Sequence, residues 1–142
     1  MAIYSVANRS SNVTIANAHI EIRASATGRP RIMETGIWLN AATQSVIGIG
    51  RPQAIGITPT TPVTVQAEDP NDGAGATQTA LAWGTGPTVP LIFLRRPNIA
   101  AAIGAGVILT FPRGLLIGAA FSIVHWNITA TSVVDVHHVV DE

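Results

Sequence analysis

The sequence contains no cysteine and no lysine, and it is poor in charge. The absence of cysteine excludes disulfide bonds, thiolate metal ligands and cysteine nucleophiles. The absence of lysine excludes the phosphate-binding loop of nucleotide hydrolases, which needs that side chain. Charged residues make up 11% of the 142 residues, whereas an average soluble domain has ~25%. So few charges predict that much of the surface faces other protein.

The few charges balance, because the eight basic residues, all arginine, are matched by eight acidic residues. Nucleic-acid binding depends on clustered excess positive charge, which is missing here. The G-x-S-x-G and H-E-x-x-H patterns of hydrolases are missing too. We therefore expect a protein that is not an enzyme, holds no cofactor and binds no nucleic acid. The exclusive use of arginine has two open explanations, a GC-rich genome or arginines that contact interface carboxylates.

The chain consists of short apolar runs separated by turn residues. In residues 12–24, His19, Glu21 and Arg23 alternate with isoleucines, which is the period-two pattern of a strand with one buried face. Strands are predicted at 3–6, 12–24, 31–42, 44–50, 63–68, 79–83 (or one helical turn), 88–96, 105–111, 116–128 and 132–140. This spacing predicts one all-β domain over residues 1–142, an antiparallel β-sandwich of jelly-roll-like form.

The longest apolar stretch covers residues 98–126. Phe-Pro-Arg-Gly at 111–114 divides it into halves of about a dozen residues, and a membrane-spanning helix needs about 20 without interruption. Pro-Arg-Gly is also typical of turns. We therefore expect two buried strands joined by a tight turn, and no membrane segment.

Two adjacent histidines stand in "TSVVDVHHVV", residues 131–140. Neighbouring side chains of a strand point to opposite faces, so Asp135 and His137 share one face and His138 lies on the other. Asp135 and His137 are the weak candidates for metal ligands. A metal needs further ligands, which no spacing in the chain supplies. We therefore expect Asp135 to orient His137, and His138 to be a partly buried sheet residue.

Three segments are candidates for contacts with partner proteins: the Pro-rich stretch 51–62, the loop 69–77 and the Arg95-Arg96 pair. Loops reach neighbouring molecules more readily than sheets do, and arginines suit planar carboxylates. The simpler alternatives are a rigid linker, a solvated turn and an exposed strand end. The candidate contact residues are Arg51, Pro52, Pro59, Pro62, Asp69, Asn71, Asp72, Arg95 and Arg96.

Four pieces of the chain, in this order, resemble small β-rich structural proteins of tailed bacteriophages. They are "RPRIMETGIWLNAATQSVIGIGRP", "PVTVQAEDPNDGAGATQTALAWGTGPTVPLIFLRR", "IGAGVILTFPRGL" and "WNITATSVVDVHHVVDE". The resemblance runs from about residue 28 to the end. It implies a virion protein without enzymatic activity that binds copies of itself and the shell or tail proteins.

Within that class we expect a capsid decoration or cementing protein, assembled in the host cytoplasm. Its partners would be copies of itself, as a homotrimer, and the major capsid protein. Cyclic symmetry would bury apolar surface between the copies. Residues 1–25 belong either to the core or to an arm exchanged with a neighbouring subunit.

Two alternatives remain at this stage. The first is a tail, neck or fibre-associated subunit, which would differ in its symmetry. The second is a carbohydrate-binding β-sandwich, which would present aromatic platforms. Trp38, Trp83 and Trp126 lie far apart in the sequence beside apolar residues. We therefore expect them in the core, which argues against the second alternative.

Overall fold

The computed structural model of the chain describes residues 2–11 and 13–142. That part of the chain contains strands and no helix, so the all-β prediction is confirmed. The strands are β1 (Ile3–Arg9), β2 (Ala18–Arg23), β3 (Arg31–Leu39), β4 (Ser45–Gly50), β5 (Ile57–Pro59), β6 (Val63–Thr64), β7 (Gln66–Ala67), β8 (Gln78–Ala80), β9 (Trp83–Thr85), β10 (Asn98–Ile99), β11 (Gly106–Leu116), β12 (Ser122–Asn127) and β13 (Val134–Asp141).

The strands form two main antiparallel sheets. The five-stranded sheet has the order β11-β3-β13-β1-β7, and the six-stranded sheet has the order β10-β4-β12-β2-β8-β6. The chain passes from one sheet to the other at each step from β1 to β4 and again from β11 to β13. The predicted antiparallel sandwich is therefore confirmed. The jelly-roll connectivity stays a prediction, since β8 lies beside β2 and not beside β4.

The hydrophobic core fills the space between the two sheets. In β13, Val134, Val136, His138 and Val140 are buried, while the residues between them are half-buried up to Val139. This alternation is the one that the sequence predicts. The largest core side chains are Ile20, Ile22, Ile32, Ile37, Leu39, Ile47, Ile49, Ile117 and Ile123.

The N-terminal region takes part in both sheets. Strand β1 pairs along its whole length with β13, and β2 lies between β12 and β8. Tyr4 and Val6 of β1 are buried in the core beside Ile20. Met1 and Asn12, which fall within the region considered as an arm, lie outside the described residues.

Strand β2 buries both of its faces, so the prediction of one buried face is wrong. His19 and Glu21 are each 0% exposed. His19 contacts Ser10 and Ser132. Over Glu21, residues 51–62 and 81–93 form a layer on the outer face of the six-stranded sheet, called here the covering layer. Its Trp83 and Phe93 pack against the outward side chains of that sheet.

The two segments of the covering layer are hydrogen-bonded to each other. The amide of Gln53 donates to the Thr88 carbonyl at 3.0 Å, and the amide of Thr88 donates to the Ala54 carbonyl at 2.9 Å. Strands β5 and β9 add a small antiparallel pair between the same segments. The Pro-rich stretch is therefore bound to its own subunit over much of its length.

Glu21 attaches the covering layer to the sheet. One carboxylate oxygen accepts hydrogen bonds from the Ser122 hydroxyl at 2.6 Å and the Gly56 amide at 3.2 Å, and the other accepts one from the Trp83 indole at 2.7 Å. A side chain at Gly56 would overlap the Trp83 ring. Because Gly56 and Trp83 belong to different segments, this one buried carboxylate holds both of them.

The predicted turn at 111–114 is wrong. Strand β11 continues through these residues, and its pairing with β3 shifts between Thr110 and Leu115. Gly114 has a positive φ of 64°. The left-handed conformation that glycine adopts without strain therefore produces a bulge within one strand. Residues 98–126 do contain two long strands, β11 and β12, which are joined by residues 117–121. Strand β12 is buried as predicted, but the prediction of burial is wrong for β11, which is an edge strand with mostly exposed or half-buried residues.

The prediction of a strand at 88–96 is also wrong. Apart from a single bridge between Arg95 and Ile49, this segment has no sheet pairing. Pro87, Pro90 and Pro97 deny it the donors that a ladder requires. The segment instead continues the covering layer and leads into β10.

We predict that Glu21→Gln destabilises the protein by roughly 3 kcal/mol, because the amide group of glutamine would point a donor at groups that also donate. The measurement is the free energy of unfolding in urea. Glu68→Gln is the matched control, since Glu68 is exposed and should change stability by less than about 0.5 kcal/mol. Equal stability of the two variants would contradict the anchoring role of Glu21.

Candidate binding surfaces

The outer face of the five-stranded sheet carries polar and aromatic side chains in register. One row across β11, β3, β13 and β1 contains Gly106, Trp38, Asp135 and Arg9. The next row contains Ile108, Gly36, His137 and Ala7. The sheet thus brings together residues from both ends of the chain, which the sequence separates by more than a hundred positions.

Trp38 lies flat on this face. A side chain at Gly106 would overlap its Cδ1 atom and one at Gly36 would overlap its Cη2 atom, so the ring occupies the space above both glycines. Trp38 is half-buried, and the prediction that it packs in the core is wrong. The physical reason is the alternation of β3, in which Ile37 and Leu39 take the inward positions.

The other two tryptophans differ from Trp38. Trp126 is 1% exposed and packs with Val124 between the six-stranded sheet and the covering layer. Trp83 is half-buried and donates to Glu21, as described above. Trp38 is therefore the tryptophan that the fold presents on an uncovered sheet face.

His137 lies beside Trp38. The planes of the two rings differ by 23°, and their centroids are 5.2 Å apart. The Nε2 atom of His137 lies 2.8 Å from the Glu34 carboxylate. The prediction that Asp135 orients His137 is wrong, because Glu34 of the neighbouring strand does so.

Asp135 pairs with its direct cross-strand neighbour, Arg9. The guanidinium donates to both carboxylate oxygens, at 2.6 and 2.9 Å. This hydrogen bonding lowers the pKa of Asp135 and raises that of Arg9. Both groups therefore stay charged at neutral pH, and they hold a fixed hydrogen-bonding pair next to the Trp38 ring.

Two shallow grooves meet at His137 and Ala7. The first, of about 460 Å³, is lined by Arg9, Trp38 and Asp135, among others. The second, of about 630 Å³, continues across β1 toward β6 and β7. Its polar lining consists of Ser5, Thr64, Gln66 and Glu68. The two grooves form one continuous depression, which is called here the Trp38 trough.

No group of three histidine, aspartate or glutamate side chains is arranged to hold a metal ion within residues 2–11 and 13–142. The candidate ligands Asp135 and His137 share a face of the sheet, as predicted, but their side chains contact different partners. Asp135 pairs with the Arg9 guanidinium, and His137 contacts the Glu34 carboxylate.

Three buried histidines come together at the other face of β13. The rings of His125 and His138 meet edge to face with centroids 4.9 Å apart, and their nitrogen atoms have no hydrogen-bond partner among residues 2–11 and 13–142. His19 lies nearby, with Ser10 and Ser132 within 3.1 and 3.4 Å of its ring nitrogens. His138 is 0% exposed, so the prediction of partial burial is wrong. The inward positions of β13 are enclosed by both sheets.

Burial lowers the pKa of each of these histidines, because the charged form loses its hydration. The pKa falls to about 4 for His19 and to about 3 for His138, and that of His125 falls well below its ordinary value. The three side chains are therefore neutral at physiological pH. Sequence reasoning missed this cluster, because its members come from β2, β12 and β13 and no spacing connects them.

A second outward-facing feature is a group of aliphatic side chains at residues 89–94, called here the apolar knob. Leu91 is 90% exposed and Ile92 is 82% exposed, and Val89 and Leu94 are exposed too. Between them, Phe93 turns inward and packs on Gly48 and Gly50 of β4.

The backbone of the apolar knob is held in place. The amide of Leu94 donates to the Ile49 carbonyl at 2.7 Å, and Arg95 donates to the same carbonyl at 3.1 Å. The exposed side chains are thus presented from a fixed base. The sequence does contain the signal, an apolar run interrupted by proline, but this run predicts a strand.

The candidate contact residues of the Pro-rich stretch have mixed surroundings. Arg51 is exposed and donates to the Leu116 carbonyl at 2.9 Å. Pro52 and Pro59 are half-buried, while Pro62 is exposed. The hydrogen bonds of the covering layer bind much of this backbone to its own subunit, while most of its residues remain exposed.

The remaining candidate contact residues are exposed. Asp69 accepts hydrogen bonds from the amide and the side chain of Asn71, both at 2.9 Å, which closes a turn beside Asp72. Arg95 lies 5.7 Å from the centre of the Phe111 ring, and its neighbour is Arg96. The two arginines directly follow the apolar knob, so these charges and the knob form one continuous surface.

Within the described residues, no helix is long and apolar enough to cross a membrane. Comparison of the chain with protein-family models, with curated proteins and with solved structures found no match.

We predict that the protein loses stability in acid. In the unfolded chain the three core histidines bind protons near pH 6.5, whereas in the folded chain they do so only at lower pH. The free energy of unfolding should therefore decrease as the pH falls below about 6.5, by on the order of 2 kcal/mol for each histidine at pH 5.

Urea unfolding at pH 7.5 and pH 5 measures this effect. His138→Leu should remove part of the pH dependence, whereas Val136→Ala, at a buried position of the same strand that carries no ionisable group, should lower stability equally at both pH values. If both variants lost the same stability between pH 7.5 and pH 5, the buried histidine cluster would not be the cause of the acid sensitivity.

We also predict that Gly36→Ala moves Trp38 and His137 away from the sheet, because the added methyl group would overlap both rings. The expected cost is about 1–3 kcal/mol, with a red shift of the tryptophan emission. Gly86→Ala is the matched control, since nothing lies within 4 Å of a side chain at that position. Unchanged emission from the Gly36 variant would contradict the flat packing of Trp38.

Proposed function

We propose that this chain is a structural protein of a tailed-phage particle that decorates or cements the capsid. It would act by binding copies of itself, as a homotrimer, and the major capsid protein. The observation that carries the proposal is the apolar knob. The resemblance of the chain to phage structural proteins supports the assignment to a virion.

The apolar knob has the chemistry of the centre of a protein interface. Interface centres are apolar and poor in charge, and their rims are polar and often contain arginine. Leu91 and Ile92 supply the apolar part, and Arg95 and Arg96 adjoin it. Large contiguous exposed apolar surface is rare on monomeric soluble proteins and marks interaction sites.

The fixed backbone of the apolar knob also suits binding. A preordered surface loses little conformational entropy when it docks, so more of the burial energy appears as affinity. Phe93 and the hydrogen bonds to Ile49 provide this order. Adhesion of this kind needs no catalytic group, and a closed ring of copies would bury each knob once.

We predict that Leu91→Asp combined with Ile92→Asp weakens self-association, because two charges would have to be buried in the interface. Light scattering after size exclusion measures the native mass. The unmodified protein should be a trimer and the double variant a monomer at the same concentration. Ile15→Asp combined with Ile103→Asp is the matched control, since both residues are exposed elsewhere, and it should remain trimeric.

Native masses other than that of a trimer would contradict parts of the proposal. A ring of six or twelve copies would favour the tail or neck alternative. A protein that is monomeric at every concentration and does not cosediment with capsids would contradict the proposed function. If the two double variants had the same native mass, the apolar knob would not lie in the interface between the copies.

A further inference from the structure

We propose that the Trp38 trough binds an uncharged oligosaccharide. The site lies on the outer face of the five-stranded sheet, on the opposite side of the sandwich from the apolar knob. It goes beyond the proposed function, which does not involve this face. Four observations support it, namely the orientation of an aromatic ring, the polar groups beside it, their charge balance and the extent of the trough.

The first observation is the orientation of Trp38. Its ring lies parallel to the sheet above Gly36 and Gly106, so one face rests on the backbone and the other points outward. A pyranose ring has an apolar face of C–H groups that packs against such an aromatic surface. The nearly parallel His137 ring stacks with Trp38 and helps to fix its orientation.

The second observation is the set of polar groups around the platform. Sugars carry pairs of adjacent hydroxyl groups, which bind side chains that offer two acceptors or two donors side by side. Asp135 and Arg9 are held in a bidentate pair, with their side chains 39% and 60% exposed. Glu34 and His137 form a second pair, with side chains 33% and 25% exposed. Both pairs thus keep hydrogen-bonding capacity toward solvent.

The third observation is the charge balance of the trough. Arg9 is the cation among the residues that line it, and Asp135 neutralises that charge. Glu34 and Glu68 add negative charge at its edges. A phosphate or an acidic sugar would be repelled, whereas an uncharged sugar binds without such a cost. The ligand class is therefore a neutral saccharide.

The fourth observation is the extent of the depression. Beyond His137 the trough continues over β1, where Ser5, Gln66 and Glu68 line it. Together the two grooves offer more room than one sugar ring beside the Trp38 platform requires. An oligosaccharide could place one ring on Trp38 and further units along these polar side chains.

The experiment is a screen of the native protein on an array of immobilised neutral oligosaccharides. The best binder is then titrated in solution and followed by tryptophan fluorescence and NMR. We expect Trp38→Ala to weaken binding by about tenfold or more, since the platform is lost. Phe121→Ala is the matched control, because Phe121 is an aromatic residue that is 65% exposed outside the trough, and it should bind like the native protein.

Asp135→Asn is a second variant that keeps the shape of the site, and it should weaken binding several-fold even if Trp38→Ala does not fold. The Leu91→Asp and Ile92→Asp double variant should bind saccharide normally, which separates this proposal from the proposed function. Failure of the native protein to bind any of the oligosaccharides at millimolar concentration would overturn the proposal. Unchanged binding in both trough variants would overturn it too, and so would a change of native mass in Trp38→Ala, which would make this face a protein contact.

Discussion

The central strands of the six-stranded sheet, β4, β12 and β2, bury both of their faces, and the chain has to cover the outer one with residues from outside the sheet. The core between the sheets takes one face, and outward residues such as Val124 and Trp126 require a second apolar contact. Residues 51–62 and 81–93 supply it. A buried carboxylate without a cationic partner, Glu21, joins this layer to the sheet through three hydrogen bonds. Its position is stable because each bond satisfies a donor that would otherwise be buried without a partner.

The covering layer gives the molecule two unlike sides. On the covered side, Phe93 fills the space above two glycines of β4, and this inward turn leaves Leu91 and Ile92 pointing outward. On the other side, the five-stranded sheet stays uncovered and carries the Arg9–Asp135 ion pair and the His137–Glu34 contact around a flat tryptophan. The first surface suits contact with protein, and the second suits a polar ligand. One small domain can therefore hold a position in an assembly and still present a separate binding face.

Sequence periodicity predicts this fold well where one face of a strand meets the core and the other meets solvent. In β13 the period of two assigns the side chains from Val134 to Val140 to their faces, with His138 on the buried one. In β2 the same pattern misleads, since His19 and Glu21 look solvent-facing and are buried under other parts of the chain. The prediction of a strand at 88–96 is wrong for a related reason, because the apolar residues of this segment suggest a strand while its prolines prevent sheet pairing. The candidate sites depend on contacts between distant strands, as in Arg9 with Asp135, and no local pattern contains that information.

The proposed function depends most on the apolar knob being the surface through which the protein assembles. Hydrogen–deuterium exchange at low and high protein concentration tests it directly, because association slows exchange at the contact. The account predicts added protection for a peptide that covers residues 89–96 at high concentration, with unchanged exchange in β3 and β13. Protection in β3 and β13 without any in residues 89–96 would contradict it and would place the interface on the open sheet.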